Sequence, residues 1–258
     1  MFARSLTFAA FASGAFFLPI AGGSAPVTLK YKIAQKTEQT IDASAMGQGE
    51  QKVNLGYTAF VTVTLNDTTG GRTVSAIVDS VKPDSGVMAQ FAEPLTSAKG
   101  ATGAGFLDAS GTLQGFKQIG DTNSIRGTTL RGLVTSLFPK VKAAAKAGDA
   151  WTDTTETSDT TNGMPVKRRA VTNFKASAGA ARAIKIDASG SYSLAGASAN
   201  GMAFEGTGKS TATFQRSTDG YLMDGSFSDN ADLSLTIPQA PAPVPVANVS
   251  SITITLLR

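Results

Sequence analysis

The sequence predicts a mainly β protein of the α+β kind, a strongly curved antiparallel sheet or half-barrel with one short amphipathic helix packed on its concave face. Three observations lead there. Apolar residues alternate with Thr and Ser along most of the chain, which is the period of a half-buried strand. Glycines recur inside those alternating runs, where a missing side chain favours bulges and bends. One stretch alone carries a helical period, with apolar residues at Leu130, Leu133, Val134, Leu137 and Phe138.

In chain order, residues 1–25 read as a signal peptide. Arg4 supplies the positive start, Leu6 to Ile20 is an apolar run, and Ala21-Gly22-Gly23-Ser24-Ala25 offers small residues for cleavage. The run is short for a membrane span, and no later segment approaches the length one needs. The expected protein is therefore exported, periplasmic or secreted in a bacterium, and not lipidated, since there is no Cys to acylate. Residues 26–258 are expected to form one β-rich domain.

The domain opens with a strand from Val27 to Thr40. Tyr57, Ala59, Val61, Val63 and Leu65 then alternate with threonines, Asn66 to Gly71 has turn composition, and Val74, Ala76 and Val78 return in phase, which is a hairpin. Gly100 to Gly105 reads as a flexible loop, and Phe106 to Phe116 as a short hairpin around Ala109-Ser110-Gly111. The helix at Leu130 to Phe138 is closed by Pro139 and weakened by Gly127 and Gly132. Strands follow at Val166–Phe174 and Arg182–Leu194. A second hairpin places Met202, Phe204, Ala212 and Phe214 in one phase, turns at Ser217 to Gly220, and returns through Tyr221, Met223, Gly225 and Phe227. A further strand is expected at Ala231–Ile237. Pro238 to Pro245, with four prolines, reads as an extended crossover to a last strand at Ile252, Ile254 and Leu256.

Composition removes most catalytic chemistry. The chain has no His and no Cys, so Ser-His-Asp and Cys-His nucleophiles and the ordinary zinc, haem and iron–sulfur sites are out of reach. A net charge of +4 with 16% charged residues does not describe a nucleic-acid binder. Gly206-Thr207-Gly208-Lys209-Ser210 resembles the end of a phosphate loop, but its flanks alternate as a strand. Asp149, Asp153, Glu156 and Asp159 lack the spacing of a calcium loop and read as a solvated acidic strand and turn. Lys140, Lys142, Lys146 and Lys167-Arg168-Arg169 read as exposed basic faces. No carboxylate pair stands out for hydrolysis. No enzyme activity, no cofactor and no metal are expected.

Tyr31 to Met46, with its Lys-Thr-Glu-Gln-Thr and Ala-Met-Gly-Gln elements, Leu130 to Pro139, and Lys146-Ala147-Gly148-Asp149-Ala150-Trp151-Thr152-Asp153 together resemble uncharacterised exported proteins of bacterial envelopes. More distantly, a curved sheet closed by a short helix is similar to the periplasmic lipoprotein-carrier and mycobacterial lipid-binding lipoprotein superfamily. That resemblance implies a hydrophobic cavity that shields acyl chains from water.

The function expected is binding of an apolar or amphiphilic, lipid-like ligand between sheet and helix. Leu130, Leu133, Val134, Leu137 and Phe138 would line one side of the cavity, with Phe204, Phe214 and Met223 opposite; the same residues would form an ordinary core in a dry protein. The alternative is a cell-envelope structural or protein-interaction module without a ligand, whose partner is another envelope protein.

Overall fold

The computed structural model describes residues 25–120, 124–142, 144–161, 164–198, 200–238 and 240–257. Residues 1–24, which carry the expected signal peptide up to its last position, lie outside the described residues. The chain is mainly β. Among the described residues eleven strands form one antiparallel sheet, with two short α-helices beside it, and the sheet is not closed.

The strands are β1 (Val27–Asp42), β2 (Glu50–Thr68), β3 (Gly71–Pro83), β4 (Thr102–Asp108), β5 (Leu113–Ile119), β6 (Ala150–Thr161), β7 (Met164–Ala178), β8 (Ile184–Ala197), β9 (Ala203–Arg216), β10 (Leu222–Thr236) and β11 (Val244–Leu257). Helix α1 (Ala89–Ser97) lies between β3 and β4, and α2 (Ser124–Ser136) between β5 and β6. Across the sheet the order is β5-β4-β3-β2-β1-β11-β10-β9-β8-β7-β6. The chain thus builds one meander outward from β1, builds a second inward from β6, and joins them by laying β11 between β1 and β10. Among the described residues no helix is long and apolar enough to cross a membrane.

Alternation sets the two faces. Leu29, Tyr31 and Ile33 of β1, Ala59, Val61, Val63 and Leu65 of β2, Val74, Ala76 and Val78 of β3, Ile186 of β8, Phe214 of β9 and Ile254 of β11 are buried in one core cluster with Leu130, Leu133, Val134, Leu137 and Phe138. The registers Ile33↔Ala59 and Ile33↔Ile254 carry this row across the middle of the sheet. On the opposite face, Lys30, Lys32, Thr213, Ser226, Thr253 and Thr255 are exposed. Val61, Val63 and Val78 have no exposed surface at all, so each contributes about 1.5–3 kcal/mol of burial. Helix α2 packs beside β5, β4 and β3, and α1 beside β3.

Four sequence expectations are corrected. Gly100–Gly105 is not a free loop, because β4 begins at Thr102 and pairs with β3 from Thr102↔Ile77 to Asp108↔Gly71. The ring of Phe116 lies where a side chain on Gly103 would stand, and the Phe116 Cα and Cβ crowd the same position on Gly105, so both glycines allow β5 to approach closely. The runs ending at Phe227 and starting at Ala231 are one strand, β10, paired with β9 along its whole length. The proline-rich crossover is shorter than expected, because β11 already begins at Val244. Pro245 is accommodated because β1 pairs β11 only as far as Val246, leaving no ladder bond on that side for the missing N–H to make. Helix α1 was not expected from the sequence, and it holds Pro94 in its interior.

At one end of the sheet, contacts bridge strands that are not neighbours. The Tyr31 hydroxyl of β1 donates to the Leu222 carbonyl of β10 at 2.9 Å. Arg72 Nη1 of β3 donates to the Asp219 carbonyl in the β9–β10 turn at 2.7 Å, while Arg72 Nε is paired with Asp67 at 2.7 Å.

Candidate functional site

The core face does not stay apolar along the strands of the second half. One residue row beyond the buried Ile186–Phe214–Ile254 row comes Phe174↔Ala188↔Ala212↔Phe227↔Ile252 across β7 to β11. Phe174, Phe227 and Ile252 pack against the core cluster but are only half-buried. The next row is polar, Thr172↔Gly190↔Ser210↔Asp229↔Ser250↔Thr37. The row after that holds Ala170, Tyr192, Gly208 and Ala231.

These rows form a groove of about 400 Å³ whose far wall is Pro139 and Lys140, the segment directly after α2. Its floor and apolar wall come from Phe174, Ala212, Phe214, Phe227 and Ile252, and its polar side from Thr172, Ser210, Asp229 and Ser250, with Arg168 at the rim. The volume falls in the usual range of small-molecule sites. A larger hollow of about 780 Å³, lined in part by Glu156, Lys167, Arg169, Glu205 and Asp232, is more open, and those five residues are solvent-exposed.

Aromatic rings define the shape. Trp151 of β6 stacks on Phe174 with centroids 4.9 Å apart and planes 6° from parallel, and Phe214 stacks on Phe227 at 5.8 Å. Gly208 sits under the Tyr192 ring and Gly225 under Phe227, so in each pair a glycine leaves space for a ring to lie flat along the sheet.

The polar side is hydrogen-bonded within itself. The Tyr192 hydroxyl donates to Asp229 Oδ1 at 2.6 Å, and the hydroxyls of Thr37 and Ser250 meet at 3.2 Å. In the apolar row, the Tyr57 hydroxyl donates to Gln35 Oε1 at 2.7 Å. Burial, then the bond to Asp229, hold the Tyr192 phenol above its ordinary pKa. Burial pushes Tyr57 up to about 12. Both phenols are therefore neutral donors across the physiological range. The Arg168 guanidinium carbon lies 4.1 Å from the centroid of the Tyr192 ring, a cation–π contact.

Of the eight residues nominated from sequence, Phe214 lines this groove. Leu130, Leu133, Val134, Leu137 and Phe138 are 0–8% exposed and lie with Phe214 in the core cluster. Phe204 is half-buried further along β9, opposite Gly196 and Leu235. Met223 occupies the irregularity in the β9–β10 register, and its neighbour Leu222 takes the fully buried position. Sequence reasoning passed over Phe174, Phe227 and Ile252 as site residues. Phe227 shares the phase of Phe214 and was in reach; Ile252 needed the β10–β11 pairing, which nothing local announces. Among the described residues no group of three or more Asp or Glu is placed to hold a metal. What faces the groove is an apolar wall, a hydrogen-bonded polar band and two cations, an arrangement suited to holding a molecule with one greasy and one polar end. No protein-family model matches the chain, and no curated protein aligns with it significantly.

Proposed function

We propose that this is a non-enzymatic periplasmic or secreted protein that binds an apolar or amphiphilic, lipid-like ligand between its sheet and the segment around α2. In this reading residues 26–258 form one domain, a half-barrel whose concave side is stoppered by α2. Curvature is supported by the bond from Arg72 to the Asp219 carbonyl. Four strand spacings separate β3 from β10, about 19 Å in a flat sheet at 4.8 Å per strand, which no arginine side chain spans. The bond from Tyr31 to Leu222 across β11 argues the same way. The placement of the helix is supported by the burial of Leu130 to Phe138 together with Ile33, Val63 and Phe214.

The observation that carries the proposal is the half-buried row Phe174, Phe227 and Ile252 on the same face as the sealed core. Apolar side chains that could have been covered by the protein itself line a groove instead. Expression with its own leader in a bacterial periplasm, purification without detergent, and native followed by denaturing mass measurement test it. An extra mass that is lost on denaturation and extracts into organic solvent is expected. A clean mass that stays unchanged after incubation with envelope lipids would overturn it.

A second reading is an envelope interaction module, favoured by β6. It is the outermost strand at one end of the sheet and has β7 as its one neighbour, whereas the other outermost strand, β5, has α2 packed on it. An exposed edge offers its backbone to a partner strand.

A further inference from the structure

The groove carries charge of both signs. Its charged lining residues are Lys140, Arg168 and Asp229, two cations and one anion. Asp229 already accepts the Tyr192 hydroxyl. Arg168 has no carboxylate within ion-pairing distance among the described residues; its guanidinium rests on the face of the Tyr192 ring, with the ring as a spacer between the cation and Asp229. A guanidinium stacked in this way keeps its N–H edge available for a planar anion. Lys140 approaches from the opposite wall, where its Nζ is 3.6 Å from Asp153 in a well-exposed and hence weak pair. Beyond these cations the groove turns apolar, at Phe174, Phe227 and Ile252.

We propose that the groove takes an amphiphile with a single anionic head, of which a fatty carboxylate is the simplest example. The carboxylate meets Arg168 edge-on with Lys140 beside it, and the chain runs along Phe174 and Phe227 toward Phe214. This rests on the reading of the groove as a ligand site, and it names the ligand class.

The sole tryptophan provides the readout, since Trp151 stacks on Phe174 in the groove wall. Trp151 fluorescence is titrated with oleate and with oleyl alcohol, each below its aggregation concentration, on the wild type, Arg168→Gln and Lys140→Gln. The expected result is oleate binding at least about tenfold tighter than oleyl alcohol, about 1.4 kcal/mol. Arg168→Gln should remove that gap and leave the alcohol unaffected, and Lys140→Gln should narrow it. Arg168 is solvent-exposed, so its substitution leaves the core untouched. Equal affinities for acid and alcohol in the wild type, or a gap that survives Arg168→Gln, would overturn the anionic head while leaving the apolar site standing. Binding of neither probe would overturn both. Sodium acetate at the oleate concentrations should not displace oleate; displacement would mean that the chain contributes nothing and would overturn the amphiphile.

Discussion

The β1–β3 region and the β7–β10 region carry the same alternating period on the same face of one sheet, yet one is sealed and the other is partly open. In the first, Val61, Val63, Val74 and Val78 are completely buried beside Leu130, Val134 and Leu137. In the second, inward positions are taken by Phe174, Phe227, Ser210, Asp229 and three glycines, Gly190, Gly208 and Gly225. The difference is one of side-chain volume. Apolar side chains, valines foremost, fill the space against a helix in the first region, whereas in the second Gly208 and Gly225, each beside a flat ring, leave it concave.

The largest effect that would test this contrast is a charge placed on each side of it. Leu133→Asp buries a carboxylate at a position that is 3% exposed, with no partner, and should cost at least about 4 kcal/mol, most of what a marginally stable domain has. The expected result is loss of the cooperative thermal transition. Phe227→Asp, at a half-buried wall position, should keep that transition and lose oleate binding. If Leu133→Asp stays folded, the α2 side is a cavity and the contrast is broken.

Next in size are two glycine substitutions of opposite sign. Gly208→Ala would drive its new methyl into the Tyr192 ring and displace it from Asp229, costing about 1–3 kcal/mol in denaturant unfolding. Gly132→Ala in α2 meets no atom within 4 Å and should stabilise by about 0.5–1 kcal/mol. A neutral Gly208→Ala would mean that the rings on the open side are loosely held.

The smallest expected effect lies outside both regions, in the β4–β5 turn. Asp108 accepts bonds from the backbone N–H groups of Ser110 and Thr112, and from the Ser110 side chain, at 2.9, 2.9 and 2.5 Å. The Ser110 hydroxyl is the leading cause that lowers its pKa to about 2, against an ordinary value near 4. A lowered pKa adds stability above the unfolded value that is lost as the pH falls through the folded one. Asp108→Asn should therefore melt below the wild type at neutral pH, with a gap that closes between about pH 4 and pH 2. A gap independent of pH would mean that the charge is not what holds the turn.

How much of this was legible in the residues follows the same division. Tyr57 to Val81 announced its hairpin because apolar residues alternate regularly with polar ones on both sides of a Gly-Gly turn. Phe204 to Phe227 announced its hairpin too, but a one-residue irregularity put Leu222 rather than Met223 into the core, and bulges leave no mark on a period of two. The glycines at 100–105 resembled a loop because the partner that fills their space, Phe116, lies on the next strand. The groove combines β7, β9, β10 and β11 with the segment after α2, so its outline depends on strand order, which local patterning does not encode.

The position of β11 has a consequence in time. The meander of β1 to β5 and the meander of β6 to β10 each consist of strands that neighbour one another in sequence, so each can zip up as soon as it is available. The seam between them is made by β11, whose partner β1 lies more than two hundred residues away, as in Ile33↔Ile254. Closing so long a loop is slow. Until it closes, Tyr31 and Ile33 have strand partners on the β2 side only, and two half-sheets with sticky margins wait for the last strand.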